Sequence, residues 1–166
     1  KSHELSPDTA PDTIIAIISP VHGFNFPKIT LDFISRMPRG SDKIILMNTR
    51  GGTKLGKLVI PGISGISFML SSILLRQKGY RIIAQLPCDM PSNWTSLHLA
   101  VKKSTADFII GKCFADLQNQ LDKLMQNGKN FKVHKNIVQN LLMIPFAVLY
   151  KLAGRYFFAK SFYSSY

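Results

Sequence analysis

The sequence predicts an α/β domain of three layers, α/β/α, built on a parallel sheet. Three observations carry that expectation. The continuous apolar run at 13–19 reads as a strand covered on both faces, and the stretches at 43–48 and 80–87 read as a second and a third strand. A helical apolar spacing follows each run, and alternation of strand and helix gives right-handed crossovers and a parallel sheet. The 166 residues are 46% hydrophobic and only 18% charged, enough for one domain with a substantial core.

Taken in order, "TIIAIIS" is the first strand and stops at a loop, "SPVHGFNFP". Pro27 suits a first helical position, and Phe26, Ile29, Thr30, Phe33, Ile34 and Met37 follow at helical spacing. "PRGSD" is a turn, "KIILMN" the second strand and "TRGGTKLG" a Gly-rich loop. An apolar helix then runs to about Lys78, with Gly79 as its C-terminal cap. "YRIIAQLP" is the third strand and "CDMPSNW" the loop after it. Ser104 or Thr105 caps a long helix whose stripe is Ala106, Ile109, Ile110, Cys113, Leu117, Leu121 and Leu124, ended by Gly128. A last helix, interrupted by Pro145, leads into "GRYFFAKSFYSSY".

The formal net charge is +12, and its distribution is uneven. Beyond Asp122 there is no acidic residue, while Lys123, Lys129, Lys132, Lys135, Lys151, Arg155 and Lys160 remain. Such an end suits an acidic protein partner or an anionic surface. No aromatic RNA-binding signature or helix-turn-helix pattern accompanies it, so nucleic acid is not an expected partner. Cys88 and Cys113 are too far apart in sequence for a metal or redox motif and read as free thiols in a reducing, cytoplasmic compartment. The segment 58–75 is nearly uncharged, but Pro61, Gly62 and Gly65 within it favour a buried helix over a membrane span. The segment 137–150 is shorter still, and its basic surroundings would suit a membrane surface.

In open α/β sheets ligands bind beyond the carboxyl ends of the strands, which puts three loops on one rim: "SPVHGFNFP", "TRGGTKLG" and "PCDMPSNW". Paired glycines in the second let backbone N–H groups approach a ligand. The loop matches neither the dinucleotide fingerprint nor the Walker pattern. Ser19 lies in no nucleophile elbow, Asp89 has no acid–base partner in its motif, and no metal-ligand cluster is visible. His22, Asn93 and Trp94 could line the rim or serve only packing and loop closure.

Three motifs in order, "IISPVHGFNFP", "KIILMNTRGGTKLG" and "MPSNW", together with the tail "GRYFFAKSFYSSY", resemble the flavodoxin-like domain of the flavodoxin–ferredoxin fusion electron-transfer proteins of anaerobic microbes. The resemblance covers most of 13–166. It implies a flavodoxin-like fold and FMN, with Ser19, Pro20, Val21, His22 and Gly23 on one side of the flavin ring and Thr49, Arg50, Gly51 and Gly52 on the other. His22 stands where that family usually has Tyr. The family's phosphate-binding first loop and its cysteine-rich cluster motif have no counterpart here, so the flavin site is expected to be incomplete with FMN binding weak or absent, and 4Fe-4S clusters are expected only in a ferredoxin module outside this chain. The implied organisation is a polar segment at 1–12, a flavodoxin-like domain at 13–130 and a basic helical extension at 131–166. The implied function is electron transfer between flavin and iron–sulfur partners, either a ferredoxin-type module or an acidic electron-transfer protein. An FMN-dependent NAD(P)H or quinone oxidoreductase, and a non-catalytic scaffold or membrane-surface module, are the alternatives.

Overall fold

The computed structural model describes residues 13–92, 101–127 and 137–157. Strands β1 (Ile14–Pro20), β2 (Lys43–Leu55), β3 (Leu58–Ile60) and β4 (Arg81–Pro91) form one open sheet. Helices α1 (Lys28–Arg36), α2 (Ser67–Gln77), α3 (Lys103–Asn127) and α4 (Ile137–Phe157) surround it. The α/β class predicted from the sequence is therefore observed. β2 is central: it pairs in parallel with β1 on one side and β4 on the other, and β3 folds back antiparallel on its far end.

The unbroken apolar runs arise because consecutive residues of β2 feed two cores. Ile44 and Leu46 join Ile17, Phe26, Ile34, Met37, Phe68 and Leu75 beneath α1 and α2. Ile45 and Met47 face the other way, onto Leu117, Leu121 and Leu124 of α3. A register shift between Ile44 and Ile45 keeps β4 in phase, with Ile82 in the first core and Ala84 and Leu86 in the second. α3 covers β4 and β2 but leaves the corresponding face of β1 open, where Ile14, Ala16 and Ile18 are exposed.

Several sequence expectations shift. The Gly-rich "TRGGTKLG" is not a loop: β2 continues through it to Leu55 and turns at Gly56 into β3. Ladder hydrogen bonds to β4, in register to Gly52↔Pro91, outweigh the low strand propensity of the glycines. The apolar helix expected from residue 58 begins only at Ser67, because β3 and the Pro61–Ile66 link take its first nine residues. β4 likewise absorbs "CDMP". α3 starts at Lys103, with the carbonyl of Lys102 accepting from Thr105 and Ala106, so neither Ser104 nor Thr105 is its cap. α4 runs through Pro145 without ending there. Asn93, Trp94, Gly128 and the two termini lie outside the described residues.

α2 packs on the sheet through serines. Ser67, Ser71 and Ser72 are buried beside Phe68 and Leu75, and their small volume lets the helix approach closely. Asn48 Nδ2 donates to Ser67 Oγ at 3.1 Å, Ser67 Oγ to the Ser64 carbonyl at 2.7 Å, and Gln85 Nε2 to Ser72 Oγ at 2.8 Å. These bonds offset the cost of burying polar groups between helix and sheet.

The link before α2 is held by a close approach. Gly65 has φ +57°, the Ile66 N–H donates to the Phe24 carbonyl at 2.8 Å, and a Cβ on Gly65 would sit 1.9 Å from that oxygen. Gly65→Ala should therefore lower stability by more than about 2 kcal/mol, through strain and the lost hydrogen bond, measured as the urea midpoint. A change near zero would mean that this approach does not hold the loop.

Candidate functional site

The chain leaves β1 at Pro20 and makes a tight reversal, His22-Gly23-Phe24-Asn25, with mutual backbone hydrogen bonds between His22 and Asn25 (2.7 and 3.3 Å). Gly23 and Phe24 have φ of +57° and +63°, the geometry of a type I′ turn. Glycine adopts it without strain. Phenylalanine does so at a cost of roughly 1 kcal/mol. The surroundings hold it there. Its carbonyl accepts from Ile66, and its ring meets Phe146 of α4 edge-on at 6.3 Å.

Most of the expected ring-flanking residues converge on this rim. Ser19 and Pro20 lie beside Asn48 and Thr49 in the β1–β2 ladder, and the Val21 N–H donates to the Thr49 carbonyl at 2.8 Å. Ser19 is buried, its hydroxyl 2.8 Å from that of Thr30 in the first turn of α1. His22 Nε2 lies 3.0 Å from the Tyr150 hydroxyl, and the two rings meet edge-on at 5.5 Å. Gly23 touches the same tyrosine: a Cβ there would fall 1.9 Å from its ring.

The second group is differently engaged. The Arg50 guanidinium donates to Asp89 through Nε (2.8 Å to Oδ1) and Nη2 (3.1 Å to Oδ2), and through Nη1 to Ser64 Oγ at 3.0 Å. Asp89 Oδ1 also accepts the Gly62 N–H at 2.7 Å. This bidentate pair ties β2, β4 and the link to α2, and both side chains are largely buried. Asp89 thus has the partner that its local motif did not reveal. Gly51 faces Ser92, and Gly52 faces Asp89 and Val59, so the paired glycines allow close packing within the extended sheet.

Beside the ion pair, a cleft of about 190 Å³ opens against α3, lined in part by Arg50, Asp89, Lys112, Cys113 and Asp116. It is smaller than the usual 300–1,000 Å³ of organic-ligand pockets. Its charges balance, because Lys112 pairs with Asp116 as Arg50 does with Asp89. Elsewhere on β2, Lys54 Nζ sits 4.4 Å from the centre of the Phe108 ring of α3.

Cys88 and Cys113, remote in sequence, are brought into mutual hydrogen bonding between β4 and α3. Both are free and buried. Burial pushes the Cys88 thiol up to about 12, with the neighbouring Cys113 and Asp89 adding to the shift; burial also raises Cys113. Among the described residues no three His, Cys, Asp or Glu side chains form a metal-binding group.

The sequence did not point to Tyr150 and Phe146 as neighbours of the turn. Their apolar helical spacing carried no sign of which loop they would meet.

Two outcomes follow from this geometry. Arg50→Met should destabilise by about 3 kcal/mol, since it strands a largely buried carboxylate, and adding Asp89→Leu should recover much of that loss. Urea unfolding of the single and double variants measures it, and equal losses would remove the clamp from the account. The folded-state thiol of Cys88 sits well above its unfolded value of about 8.5, so between those two values its proton is retained only when folded. Its contribution is complete below pH of about 8.5 and falls as pH climbs toward 12. Cys88→Ala should flatten the alkaline decline in stability measured against wild type.

Searches against protein-family models, curated proteins and solved structures gave no match to this chain.

Proposed function

We propose that this chain is the flavin-holding part of a flavodoxin-like electron-transfer protein, with FMN seated at the rim formed by the β1 turn and Thr49. The observation that carries the proposal is the junction of Ser19–Gly23 with β2, closed by the 2.8 Å bond from the Val21 N–H to the Thr49 carbonyl. It lies at the carboxyl end of β1, the kind of strand end at which open α/β sheets bind ligands. The strained turn at Phe24 adds support, because backbone strain collects at ligand sites.

The residues fit FMN on one side of the rim only. The Val21 and His22 N–H groups and His22 Nε2 are already hydrogen-bonded within the chain, so a flat ring would meet this turn through the face of the His22 imidazole. Arg50, Gly51 and Gly52 are occupied within the sheet and hold the rim in shape. When bound, FMN would supply one- and two-electron transfer. The chain's own part is to orient the ring, keep water from one face through Phe24, Phe146 and Tyr150, and hold a proton donor or acceptor nearby at His22 Nε2. Ferredoxin-type or acidic electron-transfer partners would complete the path.

Titration of FMN into the protein should give saturable quenching of flavin fluorescence. His22→Ala should weaken binding about tenfold. Ile73→Ser, on the exposed side of α2, should leave it unchanged. No quenching by wild type, or identical curves for His22→Ala, would defeat the proposal. Steady turnover with NAD(P)H and a quinone in the presence of FMN would move the reading from carrier to oxidoreductase.

A further inference from the structure

α4 is inverted relative to an ordinary surface helix. Every residue of α4 recorded as exposed is apolar: Val138, Leu141, Leu142, Pro145, Phe146, Val148, Leu149 and Leu152. At 3.6 residues per turn these positions fall within one arc of about 160°. The opposite arc holds Ala147, which is buried, and Tyr150, which meets His22. Leu149 and Leu152 are 63% and 64% exposed. An apolar arc this wide and this exposed marks an interaction surface.

Three observations choose its occupant. From Lys123 to Tyr166 the sequence carries seven Lys and Arg residues and no acidic residue, so the partner is anionic. Among the residues of α4 whose exposure is described, the outward arc offers no polar side chain, whereas a protein interface of that area would be expected to use several hydrogen bonds, about one per 100–200 Å². No described helix is long and apolar enough to cross a membrane, so α4 does not read as a span.

We infer that α4 lies in the surface of an anionic lipid bilayer, its apolar arc among the upper acyl chains and the basic residues of 123–166 among the headgroups. Aromatic residues at Tyr156, Phe157, Phe158, Phe162, Tyr163 and Tyr166 give the same stretch of sequence the composition of a membrane interface. Because α4 rests on the His22–Asn25 turn, docking brings the β1 rim to the lipid–water boundary. This inference stands apart from the flavin reading.

The test is co-sedimentation of the intact chain with phosphatidylcholine vesicles and with vesicles that also contain phosphatidylglycerol, at low and high salt. Binding should require phosphatidylglycerol and fall with salt. Leu142→Ser with Leu149→Ser should weaken it at least about tenfold while leaving the circular dichroism spectrum unchanged. Lys151→Glu with Arg155→Glu should weaken it and reduce its salt dependence. Absence of binding to the anionic vesicles overturns the inference. So does binding that the leucine variant leaves intact. A concentration-dependent dimer in solution that the leucine variant abolishes also overturns it, assigning the arc to a second copy of the chain.

Discussion

The buried pair of Arg50 and Asp89 is the constraint on which the rim depends. It joins the middle of β2 to the last residues of β4, beside the cleft against α3. Through Ser64 and Gly62 it also fixes the link that enters α2. That link supplies Ile66, whose N–H holds the Phe24 carbonyl, so the shape of the β1 turn is set from across the sheet. A largely buried ion pair adds little net stability when well made and costs much when broken. Its value here lies in geometry: a planar guanidinium with three committed nitrogens permits one arrangement of the three segments it touches.

The central strand explains the rest of the architecture. β2 has neighbours on both edges, and its consecutive residues enter cores on both faces, so Ile44–Met47 is apolar without a break. Its continuation past Thr49 is a different case. Beyond that point β1 has ended, and β3 and β4 alone receive it, helped by Lys54 against Phe108 and by the clamp. The molecule thus has a helix-sandwiched base and a thinner arm held by specific polar contacts.

Much of the base was legible in the sequence from its apolar runs, although the run of β1, expected to be covered on both faces, leaves Ile14, Ala16 and Ile18 exposed on one of them. The first helix, the end of α2 at Gly79 and the stripe of α3 were equally readable from spacing. The arm was not. "TRGGTKLG" and "CDMP" carry turn-like residues, and only pairing across the sheet turns them into strands. Arg50 and Asp89 are 39 residues apart, so their contact had no local trace. The same holds for His22 with Tyr150, separated by 128 residues. Of the three loops expected on one rim, the one after β1 is a loop, whereas β2 and β4 run on through most of the other two. The roles of individual residues there depended on long-range contacts.

The open flank of β1 bears on how this chain behaves before it is fully assembled. Among the described residues β1 pairs only with β2, and one face leaves Ile14, Ala16 and Ile18 in solvent. "TIIAIIS" combines high β-propensity with no charge, no proline and no glycine, the composition of segments that stack into cross-β aggregates. An uncapped edge of that kind templates pairing with another copy of itself. The strand that seeds the parallel sheet is also the segment most exposed to self-association, and whatever covers its edge acts as a chaperone for the fold as well as a neighbour within it.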